Sequence, residues 1–91
     1  MQTIEQLRKK MNETDAFIIK KLAERQVLSK KIGQLKFQEG LDIVDLRQEE
    51  KNYQHYEELC LNYQLEPIFV NQLFKIIIDN SKKEQGFVIS K

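Results

Sequence analysis

Apolar residues recur at helical spacing through Leu7–Lys36, LRKKMNETDAFIIKKLAERQVLSKKIGQLK, a stretch of thirty residues with no proline and one glycine. Steps of three and four from Ile4 give Ile4, Leu7, Met11, Thr14, Ile18, Lys21, Arg25, Leu28, Ile32 and Leu35, which is the period of a helix with one buried side. One long helix is predicted. At ~1.5 Å per residue it is about 50 Å long, more than the diameter of any globule a chain of this size can form. A second chain is therefore expected to cover it. Thr14, Lys21 and Arg25 interrupt the apolar seam, and an arginine at an inward position calls for an anion.

Turn and cap signals divide the rest. Thr3 can cap the first helix, with Gln6 reaching back as a capping box. Gly40 can take the positive φ that ends it, and Leu41–Val44 form a short connection. Gly33, inside the helix, costs roughly 1 kcal/mol against alanine. Either it lets another backbone come close or it is a tolerated surface glycine. Asp45 followed by Gln48 has the spacing of an N-cap, and Leu46, Tyr53, Tyr56, Cys60 and Tyr63 then share one face of a second helix. Glu49 falls on the same seam. An inward carboxylate is either the partner of a buried cation such as Arg25 or a ligand-binding group. After a loop around Asn62–Glu66, Pro67 suits the first turn of a third helix. Val70, Phe74, Ile77, Ser81, Gln85 and Val88 line one stripe of that helix, flanked by Leu73 and Ile78. Ser81 and Gln85, four residues apart, either present a hydroxyl and an amide to one bound group or lie in a last turn that frays into solvent.

Composition narrows the function classes. With 91 residues, 41% apolar and 32% charged, the chain suits one soluble domain, 1–91. Fifteen basic residues against fourteen acidic ones leave a net charge of +1, so no long-range field draws in nucleic acid or an anionic membrane. An anion must be held by local geometry. No apolar run has the length of a membrane span or a signal peptide, and the single Cys60 forms no internal disulfide. A cytoplasmic protein is expected. His55 stands alone on the expected solvent face, and Cys60 has no nearby partner, so neither metal binding nor thiol catalysis is expected.

Arg25, Glu49, Ser81 and Gln85 all lie on inward stripes and so predict a polar pocket inside a helical bundle. Lys36 follows Arg25 by eleven residues, about three turns and roughly 16 Å on the same face, so the two long side chains can lean toward one small ligand. Arg8 precedes Arg25 by seventeen residues, roughly 25 Å along the axis and about 100° around it. One chain cannot bring both arginines to one ligand, whereas an antiparallel pair of long helices can.

LRKKMNETDAFIIKKLAERQVLSKKIGQLK, then Asp45 and Glu49 at the start of the second helix, then LFKIIIDNSKKEQ in the third, together resemble the small all-helical chorismate mutases. The resemblance covers nearly the whole chain without insertion. It implies an all-α fold of three helices per chain, one long and two shorter, in an intertwined antiparallel homodimer whose chains both contribute to each active site. It also implies a cofactor-free isomerase that converts chorismate to prephenate in the biosynthesis of phenylalanine and tyrosine. Position by position, Arg25 resembles the cation for one substrate carboxylate, joined by Arg8 from the other chain. Lys36 and Gln85 resemble the donors aimed at the ether oxygen of the breaking bond. Glu49 and the backbone N–H of Asp45 resemble the site for the substrate hydroxyl, and Ser81 resembles a further carboxylate contact. Gln48, placed among the binding residues, departs from the pattern, since family members often carry arginine there. Arg47 is one residue early, roughly 100° off that face.

These side chains suit a pericyclic reaction, which needs a compact substrate conformer and charge stabilisation at the ether oxygen rather than a nucleophile. Relatives of the same fold cleave isochorismate to salicylate and pyruvate or rearrange an amino analogue of chorismate. Glu49 with Ser81 favours the ordinary mutase over both. A helical dimerisation or regulatory module is the non-enzymatic alternative.

Overall fold

The computed structural model describes the backbone of residues 1–89 and the side chains of residues 1–86. Its elements are α1 (Ile4–Glu39), α2 (Leu46–Tyr63) and α3 (Pro67–Ile89), with no strand among the described residues.

Each helix end is set locally. At the start of α1, the Gln6 backbone N–H donates to Thr3 Oγ1 at 3.1 Å, and the Thr3 N–H donates to Gln6 Oε1 at 2.9 Å. This is the expected capping box. Gly40 ends α1 at φ 69°, and the Leu41 N–H turns back to the Lys36 carbonyl at 2.8 Å. Asp45 caps α2 by accepting from the Gln48 N–H at 3.2 Å. Gln64 closes it in the left-handed region at φ 56°, a conformation that leaves the Leu65 N–H donating to Cys60 O at 3.0 Å. Pro67 opens α3, where no N–H is needed, and the first helical bond runs from Val70 N–H to Glu66 O at 3.2 Å.

Helix α3 is the middle element, packed against α1 on one side and α2 on the other. The core lies between α2 and α3, where Tyr56, Cys60, Val70 and Ile78 are buried with Tyr53 and Phe74 against them. Tyr56 stacks on Phe74 with centroids 4.0 Å apart, and Tyr53 meets Tyr56 edge-on at 5.8 Å. Leu46 and Tyr63, expected on the same seam, are exposed. They occupy the first and last positions of α2. Leu73 is also largely exposed, while Ser81 and Gln85 are buried within the helix rather than frayed. Val88 has its side chain outside the described residues.

The face of α1 that meets α3 is not its apolar seam. Ser29 and Gly33 are its buried residues, with Arg25 and Lys36 half-buried in line with them. Leu7, Met11, Ile18, Leu28, Ile32 and Leu35 of the seam are all exposed in the single chain. The chain is accordingly elongated, 57 × 27 × 16 Å, with a radius of gyration of 16.5 Å. A compact chain of this length would give about 12 Å.

Gly33 supports the first of its two sequence readings. A Cβ there would stand 2.8 Å from Gln85 Cα and 3.0 Å from the Gln85 carbonyl oxygen, both backbone atoms of a helix that cannot yield locally. Gly33→Ala should therefore lower stability by about 1 kcal/mol, because overpacking of roughly 1–3 kcal/mol outweighs a helix-propensity gain of about 1 kcal/mol. Thermal unfolding followed by circular dichroism checks this, and an unchanged or raised Tm would reject the close approach as a constraint.

Candidate active site

A cavity of about 450 Å³ opens where α1, α3 and the start of α2 converge. From α1 it is lined by Arg25 and Lys36, from α2 and its cap by Asp45, Gln48 and Glu49, and from α3 by Ser81 and Gln85. Arg8, near the start of α1, does not line it. Leu28, Ile32, Ile43 and Ile78 supply apolar wall, so the polar groups work in a partly desolvated space.

The cations are fixed by bonds that cross between helices. Lys36 Nζ donates to the Ile43 carbonyl at 2.6 Å and to Gln85 Oε1 at 3.1 Å. That pairing orients the Gln85 amide, since an oxygen held by Lys36 leaves Nε2 to donate elsewhere. The Arg25 guanidinium donates to Ser81 Oγ, whose own hydroxyl donates to the Ile77 carbonyl one turn back at 3.1 Å. Outside the cavity, Lys30 and Glu84 add an ion pair between α1 and α3 at 3.5 Å, exposed enough to contribute little.

Glu49 lies in the cavity, as its inward position implied, but Arg25 is not its partner. Its Oε1 is paired with Lys82 Nζ from α3 at 2.5 Å. Donating to the Glu49 carboxylate raises the Lys82 ammonium above its ordinary 10.5. The stabilisation from this link is thus fully present below 10.5 and lost only as pH rises through the higher folded-state value. It is constant across the neutral range. Gln48 also differs from a full capping box: its backbone N–H meets Asp45, while its side-chain Nε2 donates to Asn52 Oδ1 at 2.9 Å.

Lys82, Asn52 and Ser29 line the cavity and were not singled out by the sequence pattern. For Lys82 a signal was present, because an inward Glu49 requires a cation and Lys82 adjoins Ser81 on the inward stripe. Ser29 and Asn52 carry no such mark. Among the described residues, no group of three or more histidines, cysteines or carboxylates could hold a metal ion, and no helix is long and apolar enough to cross a membrane.

The arrangement can hold a small anion between fixed donors, with the Glu49 carboxylate beside them to accept a hydrogen bond from a hydroxyl. Comparison with known proteins agrees in kind. The sequence pattern of the family described as chorismate mutase type II matches residues 7–86. A chorismate mutase of Methanocaldococcus jannaschii is 31% identical over 85 residues, covering 93% of this chain and 86% of that protein. A bifunctional chorismate mutase/prephenate dehydratase of Buchnera aphidicola is 36% identical over 84 residues, which is 92% of this chain but 22% of the larger protein. With both the family pattern and the archaeal relative spanning most of its length, the chain belongs to the type II chorismate mutase family.

Proposed function

We propose that this cavity catalyses the rearrangement of chorismate to prephenate, and that two copies of the chain share each site. The observation that carries the reading is the Lys36–Gln85 bond of 3.1 Å, which presents an ammonium and an amide N–H side by side in a pocket that also holds Arg25. In the reaction the ether C–O bond breaks while a C–C bond forms, with no net gain or loss of atoms and no proton transfer. Electron density accumulates on the ether oxygen, and Lys36 with Gln85 Nε2 supplies donors there. Removal of one such donor typically costs about 3–4 kcal/mol in the transition state. Chorismate is a dianion with two carboxylates; Arg25 clamps one of them, and Ser81, which already orients Arg25, can turn its proton to the same group. Glu49 and the Asp45 N–H receive the substrate hydroxyl, holding the ring in its compact conformer.

The second carboxylate clamp is Arg8 of a second copy. The support is the open face of α1. The single chain exposes 7949 Å², whereas a compact chain of this mass would expose about 5,600 Å². The surplus is of the size that obligate dimers bury, about 2,000–5,000 Å² in total. An antiparallel pairing along the exposed seam would set the start of one α1 beside the middle of the other.

Adding the protein to chorismate should remove the substrate's ultraviolet absorbance in a time-dependent way. A dimer that leaves it unchanged would instead favour a helical regulatory module. Gln85→Glu should shift the activity optimum to lower pH, since only a protonated carboxyl can donate where the amide does. An unaltered pH profile would remove Gln85 from the ether oxygen.

Sharing of the site has its own test. Arg8→Ala and Arg25→Ala should each be nearly inactive, because every site then lacks one clamp. If the two are unfolded together and refolded at equal concentration, half of the dimers are mixed. Each mixed dimer has one site with both arginines and one with neither, so about a quarter of wild-type activity returns. No recovery, with mixed dimers shown to have formed, would reject a shared site.

A further inference from the structure

Among the described residues, Lys82 is the ion-paired side chain of the cavity that the mechanism above leaves without work. It comes from α3, one position after Ser81, and its side chain is about a third exposed. Its ammonium lies 2.5 Å from Glu49 Oε1. On the α2 wall, Gln48 and Asn52 bond to each other as a neutral amide pair, so the cation beside Glu49 must come from another helix.

The charge inventory shows why one is needed. Arg25, Lys36 and Lys82 bring three positive charges to the cavity lining, against the two carboxylates of Asp45 and Glu49. One chain thus presents a net single positive charge, and Arg8 of a second copy would make it two, equal and opposite to the charge of the dianion. Without Lys82 the shared cavity would fall one charge short, and the uncompensated carboxylate would be Glu49 itself. In a partly desolvated space, where screening is weaker than in water, that carboxylate would repel an incoming anion.

Building on the proposed mutase function, we propose that Lys82 is a positioning residue for substrate binding. It holds one oxygen of Glu49, leaves the other to accept the substrate hydroxyl, and cancels the negative charge that would otherwise oppose entry of a dianion. Lys82 therefore acts through Glu49 rather than on the breaking bond. Its effect belongs in KM, and it should disappear when position 49 carries no charge.

A double-mutant cycle on the full-length protein reads this directly. Lys82→Met preserves length and helix propensity while removing the charge. It should raise KM for chorismate on the order of tenfold, leave kcat within about threefold, and leave the helical circular dichroism signal unchanged. Lys82→Arg should keep KM near the wild-type value. In a Glu49→Gln background, Lys82→Met should change KM by less than about threefold. The affinity for prephenate, read by calorimetry in the same four proteins of the cycle, reports the coupling even where turnover becomes too slow to assay.

A full KM effect of Lys82→Met that persists in the Glu49→Gln background would mean direct contact with substrate and would overturn the positioning role. So would a loss confined to kcat, or a Lys82→Arg variant as impaired as Lys82→Met. Wild-type turnover with an unaffected Lys82→Met variant would overturn this assignment and leave the mutase reading standing. Absence of wild-type turnover would overturn both.

Discussion

Everything at the cavity depends on how closely α1 lies against α3. The two backbones approach at Gly33 and Gln85, where a single added Cβ would fall 2.8 Å from the opposing Cα. That approach brings Lys36, three residues past Gly33, within 3.1 Å of the Gln85 side chain. A glycine in the interior of a 36-residue helix is unfavourable for the helix alone by roughly 1 kcal/mol. Its benefit is tertiary. Larger residues there would hold the helices apart and move Lys36 from Gln85 and Arg25 from Ser81 together.

The same contact explains why the cations converge although they are far apart in sequence. Arg25 and Lys36 are separated by eleven residues on α1, while their partners Ser81 and Gln85 are separated by four on α3. The mismatch, roughly 16 Å against 6 Å along the axes, is taken up by the two longest cationic side chains leaning toward each other. Ser29 and Gly33 sit between them and are small enough to be buried under the lean. The stripe facing α3 is therefore cation, small, small, cation, and the apolar seam beside it on α1 is left for a different neighbour.

That division marks where the sequence was informative. Helix ends were legible because caps and stops act over three or four residues: Thr3 with Gln6, Asp45 with Gln48, Gly40 and Pro67 all stand at the element boundaries. Arg25, Glu49, Ser81 and Gln85 were legible as polar residues on inward stripes, which cannot be buried without a purpose, and Lys36 as a cation on the same face as Arg25. The pairing among them was not. Whether Glu49 meets Arg25 or Lys82 depends on how α2 sits against α1 and α3, which no spacing within one helix fixes. Small residues were equally silent, since Ser29 leaves no trace in an apolar pattern. Leu46 and Tyr63 keep the period of α2 yet are exposed in the single chain, because period alone does not say which positions of a face a neighbour covers.

The polar groups of the cavity are bonded to one another before any substrate arrives, and each bond leaves capacity unused. Lys36 has three N–H donors, of which the Ile43 carbonyl and Gln85 take two. The Gln85 oxygen is occupied, which turns its N–H groups outward. Arg25 gives one of its five N–H donors to Ser81. Glu49 has one oxygen committed to Lys82 and a second to offer. A ligand can therefore engage the remaining donors and acceptors without breaking the internal network, so binding asks for little reorganisation of these groups. Such a network suits a reaction that needs neither covalent catalysis nor proton transfer, because that chemistry asks only that donors be in place beforehand, and it is the contact of α1 with α3 that fixes Lys36 against Gln85 and Arg25 against Ser81.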